Sequence, residues 1–240
     1  MSKLSIVSTP IGNMRDITLR ALDVLSESDF ILCEDTRSTK KILEYYHIST
    51  PTISYHQHSG EKKVNYILDL LSQGYNLSLV SEAGTPGISD PGGRLVWEII
   101  NNKNTTIEIE AIPGPSAVTA ALSVSGMPAD KFCFLGFPPH KKGRKKFIYS
   151  LFEYDHTLVV YESKHRIEKF MDELISAKNA INRELDAGVA VKAVVCRELT
   201  KMYESVYRGE IEEVKNKLVD GGEDAKKGEF VIIMNIEIRN

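Results

Sequence analysis

Short apolar runs alternate with amphipathic segments along the first half of the chain. Runs rich in branched residues predict buried strands at 4–7, 30–33, 77–80 and 106–111. Between them, apolar residues recur at helical spacing and predict helices that include residues 18–25 and 64–71. Because strand and helix alternate, we expect an α/β fold with a mainly parallel sheet and flanking helices.

The second half of the chain has more strand patterns and fewer helical ones. Strands are predicted at 131–135, 157–161, 189–196, 204–207 and 230–236, and they suit a mixed sheet with helices. Pro113, Gly114 and Pro115 interrupt the chain just before a helical pattern at 116–124. We therefore predict an N-terminal α/β domain at residues 1–115 and a C-terminal α/β domain at 116–240.

Composition narrows the classes of function. The 240 residues contain 33 acidic and 30 basic side chains, and a net charge of -3 argues against binding nucleic acid with the whole surface. No segment has the roughly 20 apolar residues of a membrane helix, and no secretory signal is visible, so we expect a cytoplasmic protein without membrane association. Cys33, Cys133 and Cys196 stand far apart in apolar segments, which favours reduced thiols over disulfides or a zinc site.

Ligands of open parallel sheets bind beyond the carboxyl ends of the strands, where four loops are predicted, at 8–13, 34–37, 56–58 and 81–93. None of them has the glycine spacing of a dinucleotide or triphosphate cradle, which argues against NAD and ATP. The fourth loop, SEAGTPGISDPGG, has four glycines and two prolines. This composition favours a fixed loop whose backbone faces a ligand, although a tight strand-to-helix connection is the alternative.

Charged and imidazole side chains occupy the second and third loops. Glu34 and Asp35 stand beside Arg37, so one carboxylate pairs with the arginine or orients a substrate hydroxyl. The alternative is an ordinary helix start capped by Thr36 or Ser38. His56 and His58 are two residues apart and share a face if extended, but they have no partners at metal-binding spacing. We expect no metal site.

A basic run follows the apolar turn at 134–139. Its residues are His140, Lys141, Lys142, Arg144, Lys145 and Lys146. Such a run suits contact with the phosphate backbone of RNA, and Phe137 and Tyr149 stand nearby to stack on unpaired bases. The alternative is a solvated surface loop.

Nine blocks, in order from Ser8 to Ile233, resemble one family. They are STPIGNMRDIT, CEDTR, SYHQH, SEAGTPGISDPGG, IPGPSAVTAALSVSG, FLGFPPHKKGRK, YESKHR, RELTK and KGEFVII. The chain resembles the ribosomal RNA small subunit methyltransferase I family of the tetrapyrrole methylase superfamily. The resemblance implies a two-domain tetrapyrrole methylase-like fold with S-adenosylmethionine in the cleft between the domains. It also implies 2′-O-methylation of a cytidine in the decoding region of 16S ribosomal RNA, within the 30S subunit, by a homodimer.

The resemblance assigns roles to individual residues. Those expected to line the cofactor are Pro10, Gly84, Thr85, Gly87, Ile88, Ser116, Ala117, Glu162, Leu199 and Gly228. For the proton of the 2′-hydroxyl we expect Glu34, Asp35 or Glu82 as acceptor, and for the neighbouring phosphate Arg37.

Two alternative functions stay open. A tetrapyrrole C-methyltransferase would share the fold, but Thr85 stands where such enzymes carry an acidic residue. A non-catalytic RNA-binding protein of ribosome assembly would need no cofactor site.

Overall fold

The structure is a computed structural model that describes residues 2–56, 59–90, 92–102, 107–186 and 188–239. Four residues of the segments predicted above, Gln57, His58, Pro91 and Thr106, lie outside these ranges. The chain divides into two compact units, Met1–Ser116 and Ala117–Asn240.

The first unit is built on a five-stranded parallel sheet. Its strands are β1 (Lys3–Val7), β2 (Phe30–Cys33), β3 (Thr52–Ser54), β4 (Leu77–Val80) and β5 (Glu108–Ile112), in the order β3-β2-β4-β1-β5. Its helices are α1 (Leu19–Glu27), α2 (Thr36–Tyr45), α3 (Glu61–Ser72) and α4 (Gly93–Asn101). The parallel sheet with flanking helices is the architecture predicted for this half.

Helices cover both faces of this sheet because successive strand residues point to opposite sides. Leu32 of β2 packs in one cluster with side chains of α3 and α4. Its neighbours Ile31 and Cys33 pack in a second cluster with side chains of α1 and α2. Both faces are therefore apolar at β2, which explains why this strand is a continuous hydrophobic run.

The second unit contains a mixed sheet. Its strands are β6 (Phe132–Phe134), β7 (Thr157–Ser163), β8 (Gly188–Arg197), β9 (Ser205–Glu210) and β10 (Glu229–Arg239), in the order β6-β7-β10-β8-β9. Among the strand pairs in the described ranges of this unit, β6–β7 alone is parallel. The helices are α5 (Ala117–Ser125), α6 (Arg144–Ser150), α7 (Ile167–Leu185), α8 (Ile211–Asp220) and α9 (Gly222–Ala225). Phe170, Met171 and Leu174 of α7 are fully buried in the core of this unit.

Two further observations concern the described part of the chain. Cys33 and Cys196 are buried, Cys133 is half-buried, and all three are unbonded. No helix there is long and apolar enough to cross a membrane.

Candidate functional site

The loops that follow β1 and β4 are joined to each other. Thr9 and Gly84 form an isolated antiparallel bridge, in which the amide of Thr9 donates to the carbonyl of Gly84 at 2.9 Å and the amide of Gly84 donates back at 3.0 Å. The hydroxyl of Thr9 also donates to the carbonyl of Ser81 at 3.2 Å. Parallel strands end at one edge of the sheet, and these hydrogen bonds hold two of the predicted ligand loops together there.

Thr85 brings the loop after β5 to the same place. Its Oγ1 lies 2.9 Å from the Oγ of Ser8 and donates to the carbonyl of Pro115 at 3.3 Å. The hydroxyl of Thr85 therefore connects three loops. Gly84, Thr85 and the segment next to Ser116 are gathered at one edge.

The fourth loop has two glycines in left-handed conformations, of which Gly84 is buried and bonded to Thr9 through its amide and its carbonyl. Gly84 and Gly87 have φ angles of +79° and +83°, which residues with a Cβ rarely adopt. Gly87 is exposed, and the neighbouring Ile88 is 46% exposed. Pro10 of the first loop is buried by its own chain. The loop can thus offer backbone amides, carbonyls and one apolar side chain to a ligand.

Gly114 marks a close approach of two loops, because a Cβ there would lie 2.9 Å from the Cβ of Ser8. We expect Gly114→Val to lower the free energy of unfolding by about 1–3 kcal/mol, since the first loop must move to admit the side chain. The control is Gly93→Ala, where a Cβ meets nothing within 4 Å. Urea titration of both variants tests this, and equal midpoints would contradict it.

Three carboxylates interact electrostatically near the end of β4. Glu34 follows β2 and Glu82 follows β4, and both side chains are exposed. Asp90 is half-buried and interacts with the hydroxyl of Ser81, which also donates to the carbonyl of Gly84 at 3.1 Å. Burial, and then the negative charges of Glu34 and Glu82, raise the pKa of Asp90 to about 6 against the opposing hydrogen bond. Asp90 was not singled out from the sequence, although it stands within the SEAGTPGISDPGG loop.

Asp35 and Arg37 form a local pair at the start of α2. The Asp35 carboxylate accepts the Arg37 amide at 2.8 Å, so Asp35 is the helix cap in place of the predicted Thr36 or Ser38. The Arg37 guanidinium lies 3.0 Å from the same carboxylate, and its hydrogen bonds keep the pKa of Asp35 below its usual value. The Arg37 side chain is 89% exposed. Asp35 is therefore occupied by the cap and the arginine, while Arg37 faces solvent.

The described residues of the third loop show no metal site. The amide of His56 donates to the Ser59 hydroxyl at 2.9 Å, whereas His58 lies outside the described residues. Within the described ranges, no group of three or more His, Cys, Asp or Glu side chains is arranged to hold a metal ion.

In the second unit, three segments expected near the cofactor meet at one end of the sheet. Glu229 at the start of β10 is paired with Ser163 at the end of β7, and the next residue, Phe230, is paired with Arg197 at the end of β8. The amide of Glu198 donates to the carbonyl of Glu229 at 3.0 Å. Segments 162–163, 197–199 and 228–229 are therefore neighbours.

Gly228 and Leu199 lie within this meeting point. Gly228 has a φ of +105°, and a Cβ there would lie 2.5 Å from the side chain of Glu198. The Glu198 carboxylate accepts the Glu229 amide at 2.9 Å and the Lys201 ammonium at 2.9 Å. Leu199 is 8% exposed. The backbone of Gly228 is consequently close to a fixed carboxylate, and most of the Leu199 side chain is covered.

Two predicted site residues have a different role from the one expected. The Glu162 side chain is fully buried and the Arg144 side chain is 5% exposed, with their charged atoms 3.4 Å apart. Glu162 is thus inaccessible to a cofactor, and Arg144 does not belong to the RNA-facing cations. The physical reason is that each charge is compensated inside the protein. The other members of the basic run are exposed, namely His140, Lys141, Lys142, Lys145 and Lys146.

Comparison with known proteins extends these observations. A family model described as Tetrapyrrole (Corrin/Porphyrin) Methylases matches residues 3–215. Among solved structures, diphthine synthase has a TM-score of 0.71 at 14% identity over 98% of this chain and 90% of its own. A cobalt precorrin-4 methyltransferase has a TM-score of 0.67 at 18% identity over 97% and 94%. These two likenesses establish the fold.

Closer relatives are found among curated proteins named ribosomal RNA small subunit methyltransferase I. The Mycoplasmopsis pulmonis protein is 40% identical, with 99% of each chain covered. Those of Thermotoga maritima and Vibrio cholerae are also 40% identical, over 89% and 97% of this chain and 90% and 76% of their own. The chain therefore belongs to the tetrapyrrole methylase family and, within it, to the ribosomal RNA small subunit methyltransferase I family.

Proposed function

We propose that this protein transfers a methyl group from S-adenosylmethionine to the ribose 2′-hydroxyl of a cytidine in 16S ribosomal RNA. The observation that carries the proposal is the 40% identity to a ribosomal RNA small subunit methyltransferase I over 99% of both chains. We further propose that the protein acts as a homodimer in the cytoplasm, on the decoding region of the 30S subunit.

The residues of the first unit fit the cofactor. The backbone of Gly87 is exposed, whereas that of Gly84 is buried and bonded to Thr9, and the Thr85 hydroxyl connects the surrounding loops. Ile88 offers an exposed apolar surface to the adenosyl group, and Ser116 closes the third of the joined loops. When bound, S-adenosylmethionine supplies an electrophilic methyl group on its sulfonium.

The second unit contributes backbone as well. Near Leu199 we assign cofactor contact to the main chain, because little of the Leu199 side chain is exposed. We also assign contact to the main chain near Gly228 and to Ala117 at the start of α5. Glu162 is left out of this set since it is buried.

Transfer to a hydroxyl requires a group that takes the departing proton. Asp90 is our candidate, because a carboxylate with a pKa of about 6 is ionised at neutral pH yet more basic than ordinary carboxylates. Glu34 and Glu82 act through their charge on Asp90, whereas Asp35 is committed to its helix cap. We assign an RNA phosphate to the exposed Arg37, for which its planar guanidinium is suited.

The exposed cations of the second unit provide affinity for RNA. Lys141 and Lys142 are adjacent in the basic run and face solvent, in a chain whose net charge is -3. Binding of lysine to phosphate releases counterions, so affinity that depends on these two side chains weakens as salt rises.

We expect the double variant Lys141→Ala/Lys142→Ala to reduce the slope of log affinity against log salt for single-stranded RNA by about 1.4, or roughly 0.7 for each phosphate that is no longer neutralised. Fluorescence anisotropy at several salt concentrations measures this slope. Lys215→Ala/Lys217→Ala on α8 removes the same charge elsewhere and should leave the slope unchanged. Identical slopes for all three proteins would remove the two loop lysines from the RNA interface.

The decisive test supplies labelled S-adenosylmethionine and 30S subunits that lack the modification, followed by nuclease mapping of the label. We expect label on the ribose of a single cytidine in the decoding region. Label on a base or on protein would overturn the assignment. Failure to bind S-adenosylmethionine in calorimetry would favour the non-catalytic alternative.

A further inference from the structure

Two arginines hold the loop between β6 and α6. Pro138 and Pro139 have no amide hydrogen, so this stretch cannot donate to a regular hydrogen-bonded ladder. Instead, the Arg166 guanidinium donates to the carbonyl of Pro138 at 3.3 Å, and that of Arg144 donates to the carbonyl of Pro139 at 3.2 Å. The conformation of the loop therefore depends on side chains that come from outside it.

Both arginines are bound to one buried carboxylate. One oxygen of Glu162 forms an ion pair with Arg166 Nε at 2.9 Å, and the other accepts a hydrogen bond from Arg144 Nη1 at 3.4 Å. Glu173 accepts Arg144 Nε at 2.7 Å. We call Arg144, Glu162 and Arg166 the loop-holding cluster. Side-chain exposures of 5%, 0% and 15% show that the three charges have left water.

Buried ion pairs of this kind add little net stability, because desolvation offsets their attraction. Their effect is to favour one geometry. Here that geometry orients two successive carbonyls of the Pro138–Pro139 stretch, since each arginine has a donor for one of them. The cluster thus fixes the path of the loop that carries the basic run.

The fixed loop exposes an aromatic ring and cations together. Phe137 is 52% exposed, and its ring packs edge-on against Tyr161 with centroids 5.4 Å apart. Lys145 lies over the ring of Tyr149, with its ammonium 5.7 Å from the ring centroid. A supported aromatic ring with free surface, followed in the same segment by exposed lysines, suits stacking of unpaired bases and neutralisation of phosphates.

We propose that segment 137–149 binds an unpaired stretch of RNA, with Phe137 stacking on a base and the loop-holding cluster positioning Phe137 and the lysines. This inference rests on the proposed function for the identity of the nucleic acid. Unpaired RNA is the partner because bases within a helix present only their edges, whereas an exposed ring needs a free base face.

The stacking part is tested with Phe137→Ala in the full-length protein. The probes are a labelled single-stranded RNA of about 12 nucleotides and the duplex it forms with its complement. We expect about tenfold weaker binding of the single strand, as for loss of one base–aromatic stack, and little change for the duplex. Phe137→Tyr should restore binding. Phe132→Ala is the control, since this phenylalanine on β6 is 41% exposed and lies outside the segment.

The positioning part is tested with Arg166→Gln, which keeps the Arg144–Glu162 pair. We expect several-fold weaker single-strand binding together with faster trypsin cleavage after Lys141 and Lys142, and partial recovery of both in Arg166→Lys. Affinity for S-adenosylmethionine, measured by calorimetry, reports that the variant is folded. A variant that is destabilised but binds RNA like wild type would show that the cluster is only structural.

These results separate the inference from the proposed function. Wild-type affinity of Phe137→Ala for single-stranded RNA overturns the inference even if the protein methylates ribosomal RNA. Conversely, an inactive wild-type protein whose RNA binding still depends on Phe137 would refute the methylation and leave the RNA surface in place. Equal loss of single-strand and duplex binding in Phe137→Ala would also contradict stacking on an unpaired base.

Discussion

Replacing Glu162 by alanine is expected to lower the free energy of unfolding by about 3–5 kcal/mol. The substitution leaves the guanidinium groups of Arg144 and Arg166 buried without their shared carboxylate. Arg144 keeps Glu173, but Arg166 keeps only neutral acceptors among its described hydrogen bonds, namely the hydroxyl of Ser163 and the carbonyl of Pro138. Urea unfolding followed by circular dichroism measures the change.

Two controls separate the effect of leaving the arginine charges unpaired from the effect of removing the packed Glu162 side chain. Glu173→Ala should cost about 1 kcal/mol, because this carboxylate is 29% exposed and Arg144 retains Glu162. Replacing the whole cluster, with Arg144→Met, Glu162→Leu and Arg166→Met, should recover much of the stability lost in the single variant. A cost below about 1 kcal/mol for Glu162→Ala would mean that the arginines find water or other partners easily.

The hydrophobic pattern was sufficient for most of the fold. β2 and β4 have the predicted bounds, because β2 is a continuous apolar run, β4 is interrupted only by the small Ser78, and both are buried on both faces. β3 was not singled out, since its three residues, Thr52–Ser54, include one apolar side chain at the edge of the sheet. Ladder hydrogen bonds define such a strand, and these depend on β2 lying beside it.

The candidate site was predictable in part. Ligand loops could be located because parallel strands end at a common edge, and Gly84 and Thr85 are indeed joined there to the first loop. Burial of charged residues was not predictable. Arg144 stands in a run of cations and resembles its neighbours in sequence, but the helix that begins with it turns this side chain inward. The environment of Asp90 likewise depends on residues that are distant along the chain.

Stability should reveal the environment of Asp90 independently of activity. An acid whose pKa is higher in the folded than in the unfolded protein stabilises the fold when it is protonated. The contribution of Asp90 to the free energy of unfolding therefore falls as pH rises from about 4 to about 6, and it stays low above that range. Asp90→Asn cannot ionise and keeps an acceptor for Ser81. We therefore expect the variant to gain at most about 2 kcal/mol over wild type at pH 7.5, because solvent reaches part of the carboxylate. Urea titrations at pH 4 and 7.5 test this. An equal difference in the free energy of unfolding between variant and wild type at both pH values would contradict it.

The same Asp90→Asn substitution is expected to slow methyl transfer by about 10²–10⁴-fold with unchanged affinity for S-adenosylmethionine, because the 2′-hydroxyl loses its proton acceptor. In wild type, single-turnover rates should rise with pH through about 6, where Asp90 ionises, and this rise should be absent in the variant.

Glu34→Gln provides the sharper test. Removing its negative charge lowers the pKa of Asp90, so the rise should move to lower pH. An Asp90→Asn enzyme with wild-type rates, or a pH profile unaffected by Glu34→Gln, would mean that another group takes the proton. If Asp90→Asn is more stable than wild type and nearly inactive, the environment of Asp90 destabilises the folded protein and serves the reaction.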